Sequence, residues 1–97
     1  MLIRAQDKEQ LINFNNIAYL EIAGYTSGEA EINAMYSFND TDFGGQAGIC
    51  LGFYFTKERA VQVLDQIQAA YRNYKHAIFI GSENSSFSEP IFEMPEV

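Results

Sequence analysis

The ten residues "EAEINAMYSF", positions 29–38, decide the fold class of this chain. Apolar side chains occupy every second position from Ala30 to Phe38, and mostly polar side chains occupy the positions between them. A period of two with one apolar face is typical of a half-buried antiparallel strand, because successive side chains of a strand point to opposite faces of the sheet. The stretch therefore predicts an antiparallel sheet with another element packed over one face.

Similar patterns on both sides extend this strand into a sheet. The segment "GYTSG" that precedes it begins and ends with glycine, which predicts a hairpin connection. Further strands are predicted at about 2–6, 11–23 and 48–56, and short ones at about 77–80 and 90–94. In the strand at 48–56, strict alternation puts one set of side chains on the first face: Ile49, Leu51, Phe53 and Phe55. The second face then carries Cys50, Gly52, Tyr54 and Thr56.

The period changes to that of a helix between about 57 and 75. Its apolar residues recur every three or four positions, at Ala60, Leu64, Ile67, Tyr71 and Tyr74. Thr56 is the expected N-cap and Glu58 lies in the first turn, while Arg72 and Lys75 are expected in the last turn and His76 just beyond it. The chain is therefore predicted to be one α+β domain, residues 1–97. We expect an antiparallel β-meander of four to five strands with one long α-helix packed across one face.

Charge is unevenly distributed along the chain. The net charge is −7, and no lysine or arginine occurs between Glu9 and Thr56. The acidic residues of that region are Glu9, Glu21, Glu29, Glu31, Asp40 and Asp42. A phosphate backbone requires clustered cations, so direct nucleic-acid binding is not expected. The predicted partner is a protein with a basic surface, and the predicted binding residues are Glu29, Glu31, Asp40, Asp42, Tyr25 and Met35.

Targeting and redox signals are weak in this sequence. The single cysteine excludes an internal disulfide and is typical of a reducing compartment. The longest apolar run, "AGICLGFYF", is far shorter than the ~20 residues that span a bilayer, and the N-terminal residues turn polar by position 4. We therefore expect a cytoplasmic protein of a bacterial host cell, with no membrane association.

The segment "FNDTDFGGQAGIC", positions 38–50, contains the residue types of an active site. It does not match a calcium loop, since neither Gly44 nor Gly45 follows three oxygen-bearing residues at the required spacing. Asn, Asp, Thr and Gly are turn formers, so the segment is interpreted as a loop between two strands. Cys50 has no base linked to it by any motif, and the only histidine is His76. No catalytic residue, metal site or cofactor is predicted.

Several short motifs resemble those of one protein family. The motifs are "RAQDKEQLINFNNI", "LGFYFTKERAVQVLDQI" and "IFEMPEV". They are similar to the "SQDK…INF", "LGxYxTxERAxxVLxxI" and "YxMPE" patterns of small uncharacterised proteins from low-GC Gram-positive bacteria and their phages and mobile elements. The departures are Ala5 for serine, Lys57 for glutamate and Phe92 for tyrosine. The resemblance implies that the protein comes from such a bacterium, phage or mobile element. It implies no particular activity.

Three functions are consistent with these observations. The first is a non-catalytic acidic binding module, in a phage setting an anti-CRISPR-like inhibitor that occupies the basic nucleic-acid-binding surface of a host defence protein. The second is a small-molecule or nucleotide-binding protein with an aromatic pocket at a dimer interface, for which Arg59, Arg72 and Lys75 are the candidate ligand-binding cations. The third is a structural module that forms a homodimer through an edge strand.

Overall fold

The computed structural model describes residues 1–37, 46–81 and 90–97. This part of the chain forms six strands, one short 3-10 helix and one long α-helix, which confirms the α+β class. The elements are β1 (Leu2–Arg4), β2 (Leu11–Asn13), the 3-10 helix (Phe14–Asn16), β3 (Tyr19–Gly24), β4 (Ala30–Ser37), β5 (Gln46–Tyr54), α1 (Lys57–Gly81) and β6 (Ile91–Glu93).

The predicted meander is the sheet β3-β4-β5, in which both neighbouring pairs are antiparallel. The hairpin between β3 and β4 closes at Gly28, where φ is +97° and glycine is favoured because it has no Cβ. The Gly28 N–H donates to the Tyr25 carbonyl at 3.0 Å, and the Tyr25 N–H donates to the Glu29 carbonyl at 2.8 Å. These bonds set the register in which Ile22 lies opposite Ile32.

The remaining strands form a second sheet, with the order β2-β1-β6. Strand β1 is antiparallel to β2 and parallel to β6. The strand predicted over 11–23 is therefore two strands in two sheets, and the 3-10 helix separates them. The Asn13 side chain accepts a hydrogen bond from the Asn15 N–H at 3.0 Å. This local bond from side chain to backbone favours a turn over a continuous strand.

Helix α1 begins as predicted and ends later than predicted. Its first turn is capped by Thr56, whose Oγ1 accepts from the Arg59 N–H at 3.1 Å. The strand predicted at 77–80 is wrong, because α1 continues to Gly81. A run of four apolar residues has no period that separates a strand from a helix. His76 consequently lies within the helix, and Arg72 and Lys75 precede the last turn.

One apolar core joins the helix to both sheets. Strand β4 contributes Ala30, Ile32 and Ala34, each with 0 % of its surface exposed. The other buried members are Met1, Ile3, Ile12, Leu51, Tyr54, Ala60, Val63, Ile67 and Met94. The helix therefore covers one face of the meander, which we call the inner face.

A β-bulge in β5 reverses the alternation of side chains that the sequence predicts. Ile32 pairs with Gly52 and Asn33 pairs with Cys50, so Leu51 is an extra residue. Beyond the bulge, Tyr54 is on the inner face with 1 % of its surface exposed, while Phe53 is 40 % exposed. The prediction that Phe53 shares a face with Leu51, opposite to Tyr54, is therefore wrong.

Candidate functional site: the outer face of the meander

The face of the meander opposite the helix is the candidate site, and we call it the outer face. Its side chains are those that alternate with the core residues along β3, β4 and β5, together with Tyr25 from the hairpin. They are Tyr19, Glu21, Ala23, Tyr25, Glu31, Asn33, Met35, Gly48, Cys50 and Phe53.

This face combines exposed aromatic rings with carboxylates. Tyr19 is 40 % exposed and Tyr25 is 48 % exposed. Met35 lies across from Gly48, and a Cβ on that glycine would come within 2.7 Å of the Met35 Sδ. Glu21 and Glu31 carry the negative charge, and no lysine or arginine occurs in β3, β4 or β5. The result is an apolar surface with negative charge.

Glu31 lies on the central strand β4, close to the end that meets the hairpin. It is opposite Phe53 on β5 and opposite Ala23 on β3. The Tyr25 and Phe53 rings lie 6.0 Å apart at 54° between their planes. Hydrogen bonding to the Glu31 carboxylate raises the pKa of the Tyr25 hydroxyl above its ordinary value of 10.0.

Cys50 is exposed on the outer face instead of packed in the core. Partial burial, followed by hydrogen bonding to Glu31, raises the pKa of the Cys50 thiol above its ordinary value of 9.0. The Cys50 Sγ also lies 3.6 Å from the Gly52 carbonyl, to which the thiol donates. A raised pKa makes a cysteine a poor nucleophile, since the thiolate is the reactive form. His76 lies on α1, which packs on the inner face, so it is not a base for Cys50.

The side chain of Gln6 joins the N-terminal segment to β5 and to the C-terminal residues. Its Oε1 accepts from the Phe53 N–H at 2.8 Å, and its Nε2 lies within 3.1 Å of the carbonyls of Phe53 and Pro95 and 2.9 Å from that of Glu96. The Gln6 backbone N–H donates to the Leu51 carbonyl at 2.7 Å. We call this set of contacts the Gln6 clasp. It provides hydrogen-bond partners for the backbone N–H and carbonyl groups of β5 at the bulge, where the pairing with β4 is interrupted.

Two further side chains hold the C-terminal residues. The Tyr54 hydroxyl donates to the Pro95 carbonyl at 2.9 Å, and burial raises the pKa of this hydroxyl. The Arg59 guanidinium donates to the Val97 carbonyl oxygen from Nε at 3.1 Å and from Nη2 at 3.0 Å. Parts of all three motifs behind the family resemblance therefore converge here, through Gln6, Arg59 and Pro95. Their contacts stabilise the fold.

The structure brings three of the predicted partner-binding residues together on the outer face. These are Tyr25, Glu31 and Met35. Glu29 is half-buried at the end of the hairpin beside them. Asp40 and Asp42 lie outside the described residues. Tyr54, a further aromatic residue of β5, belongs to the core.

The three cations predicted as ligand-binding residues do not form one cluster, because Arg59 lies near the start of α1 while Arg72 and Lys75 lie one turn apart, well beyond it. Arg59 holds Val97, as described above. Arg72 is thirteen positions further along α1, which corresponds to about 20 Å. The Lys75 Nζ lies 5.5 Å from the centre of the Tyr71 ring. Arg59 and Arg72 are too far apart to bind one phosphate group.

The sequence analysis missed Phe53 and Asp7 as members of an exposed surface. Phe53 was assigned to the wrong face because the bulge at Leu51 shifts the alternation by one residue. Gly52 lies directly beside the bulge and could have indicated it from the sequence, since glycine within a strand often marks a bulge. Asp7 has no such signal, because its position depends on the Gln6 clasp.

Within the described ranges, no group of three or more His, Cys, Asp or Glu side chains is arranged to hold a metal ion. The same part of the chain contains no helix that is long and apolar enough to cross a membrane. Comparison of the chain with known protein families, with curated proteins and with solved structures finds no match.

Proposed function

We propose that this protein is a non-catalytic binding module whose outer face binds a protein with a basic surface. The observation that carries the proposal is the composition of that face. Tyr19, Tyr25 and Phe53 are exposed there beside Glu21 and Glu31, on strands that contain no cation. Aromatic residues and methionine are enriched at protein interfaces, and complementary charge guides the association of two proteins.

The chemistry of the outer face favours binding over catalysis. Among the described residues of this face, Cys50 carries the only thiol, and the pKa of that thiol is raised. A catalytic cysteine needs the opposite shift, which a nearby cation or base produces. The two groups beside Cys50, Glu31 and Asp7, are carboxylates that raise its pKa further.

The partner we propose is a host defence protein, whose basic nucleic-acid-binding surface the acidic module occupies. Two observations support this version. The net charge of −7 and the absence of cations between Glu9 and Thr56 give a surface that mimics a polyanion. The short motifs of the chain resemble those of proteins from low-GC Gram-positive bacteria and their phages and mobile elements, a setting in which a host defence nuclease would be the target.

A pull-down from bacterial host lysate at low and high salt tests the proposal. We expect a basic protein to be retained at low salt and released at high salt, because salt screens interactions between exposed charges. Glu31→Lys should abolish retention. Asp65→Lys is the matched control, since Asp65 is exposed on α1 and its substitution changes the net charge equally. Loss of retention in both variants would mean that net charge alone binds the partner, and no partner at either salt concentration would refute the proposal.

A groove on the helix side favours a second function, the binding of a small apolar molecule. The groove has a volume of about 350 Å³ and lies between the 3-10 helix, β3 and α1. The rings of Phe14 and Tyr71 form part of its wall, with centroids 4.6 Å apart. Ligand pockets are commonly apolar and aromatic, with volumes from about 300 Å³. Mass spectrometry of the native protein for a bound molecule tests this function.

A further inference from the structure

A hollow on the outer face lies between Phe53 and the turn that follows β1. Its volume is about 170 Å³, and its lining residues are Gln6, Asp7, Cys50, Leu51, Gly52 and Phe53. We call it the Phe53 hollow. The side chains that surround it are an aromatic ring, a thiol, an amide and a carboxylate.

The walls of the hollow are held in place by hydrogen bonds. The Gln6 clasp ties the turn to β5 through the Leu51 carbonyl and both backbone polar groups of Phe53. The Asp7 Oδ1 accepts from the Glu9 N–H at 2.9 Å, which orients the Asp7 carboxylate within the turn. A partner would therefore meet a surface whose groups are already ordered, so less entropy is lost on binding.

Two carboxylates flank the hollow. Asp7 lines it directly, and Glu31 lies beside it because β4 places Glu31 opposite Phe53. The Tyr25 ring, 6.0 Å from the Phe53 ring, extends the aromatic surface along the same side. The nearest cations of the turn are engaged elsewhere: Lys8 pairs with Glu93 at 3.7 Å, and Arg4 donates to the Lys8 carbonyl and approaches Glu93 at 4.0 Å.

We propose that the Phe53 hollow binds an arginine side chain of the basic partner. A guanidinium group is planar and always charged, stacks on aromatic rings, and donates in a fork that matches carboxylate oxygens. The hollow offers the Phe53 ring for stacking, with the Tyr25 ring 6.0 Å from it. The acceptors are Asp7 in the lining of the hollow and Glu31 on the neighbouring strand. A lysine ammonium satisfies the charge and lacks the stacking plane. This inference rests on the proposed function and names the group of the partner that the outer face recognises.

The test is a titration of ¹⁵N-labelled protein with the peptide acetyl-Gly-Arg-Gly-amide, followed by amide chemical shifts. We expect saturable shifts at Asp7, Cys50 and Phe53, and weaker binding of the corresponding lysine peptide by about two- to five-fold, the range of an exposed contact between a cation and an aromatic ring. The citrulline peptide, which has the same shape without the charge, should cause no localised shifts. Equal shifts with citrulline, or no localised shifts with arginine, would overturn the inference.

Three variants and one control, Glu21→Gln, locate the binding to the hollow. Asp7→Asn and Glu31→Gln each keep an acceptor oxygen and remove one charge, and each should weaken arginine binding by about two- to five-fold. Glu21→Gln removes one charge from the same face about 10 Å from Cys50, two strands away, and should have a smaller effect. If Glu21→Gln weakened arginine binding as much as the other two charge variants, the peptide would be responding to the overall negative charge of the outer face and would not be bound at the hollow. Phe53→Leu should remove the preference for arginine over lysine, and a preference that persisted would overturn the assignment to this ring.

The outcome can be separated from that of the pull-down. A partner captured in a salt-dependent manner without arginine-dependent shifts would support the proposed function and overturn the inference. Shifts at the hollow without any captured partner would support the inference and leave the host-protein proposal refuted.

Discussion

Strand β4 supplies the two faces of the meander with side chains of opposite character. Ala30, Ile32 and Ala34 are fully buried against α1, while Glu31 and Met35, which alternate with them, are half-buried on the outer face. The inner face is aliphatic and covered by the helix. The outer face combines acids with aromatic residues of the neighbouring strands. We therefore expect substitutions on the inner face to reduce stability, and we propose that substitutions on the outer face reduce partner binding, so adjacent residues should have separable effects.

The largest expected effect is at Ile32 on the inner face. Ile32→Ala leaves a cavity beneath the helix, and we expect a loss of about 2–5 kcal/mol in the free energy of unfolding. Met35→Ala, three residues along the same strand and on the outer face, should cost less than about 1 kcal/mol. Urea denaturation of both variants measures the difference. Equal losses would mean that the outer face also belongs to the core.

An intermediate effect is expected at Gly52, where the inner face is tightly packed beside the bulge. A Cβ at this position would lie 2.8 Å from the Tyr54 hydroxyl and 3.0 Å from Cε2 of its ring. Because Tyr54 is buried and its hydroxyl bonds to Pro95, the ring has no room to move. We expect Gly52→Ala to cost about 1–3 kcal/mol.

Gly24→Ala is the matched control for Gly52, because no atom lies within 4 Å of a Cβ built at Gly24. It should be neutral or should stabilise the protein by about 0.4–1 kcal/mol, through the loss of chain entropy in the unfolded state. Thermal unfolding of the two variants distinguishes packing from a general cost of replacing glycine. Two similar losses would contradict the packing explanation.

The smallest effect concerns Cys50 on the outer face and involves no loss of stability. Because its pKa is raised, a smaller fraction of Cys50 is thiolate at pH 8 than for an ordinary thiol. Its reaction with a disulfide reagent should therefore be slow and should accelerate only at higher pH. Glu31→Gln removes the carboxylate that helps to raise the pKa, so the pH–rate profile should move to lower pH, while Glu21→Gln should move it less. A profile unchanged by Glu31→Gln would show that Glu31 does not interact with the thiol.

The long regular elements could be predicted from their periods, while the irregular ones could not. Strand β4 follows its alternation closely, and α1 begins at the capped position that Thr56 and Glu58 indicate. The end of α1 was predicted too early because residues 77–80 are apolar without a period. The second sheet was also not predicted, because its strands have three residues each and a parallel pairing between β1 and β6 joins distant parts of the chain.

Only part of the candidate site could be predicted. Tyr25, Glu31 and Met35 were found because charge and alternation along one hairpin are local properties. Phe53 was missed because a single extra residue at Leu51 moves every later side chain of β5 to the opposite face. Asp7 was missed because the Gln6 clasp, which joins residues 47 to 90 positions apart, brings it to the outer face.

The amino-acid sequence by itself determined the fold class, the strand–helix order of the central region and the separation of acids from cations, since these depend on side-chain pattern and composition. Only the tertiary structure decided that Tyr54 is in the core, that Phe53 is exposed and that Arg59 donates to the Val97 carbonyl. Those outcomes depend on a bulge and on hydrogen bonds between residues far apart in the chain, and neither leaves a periodic pattern in the sequence.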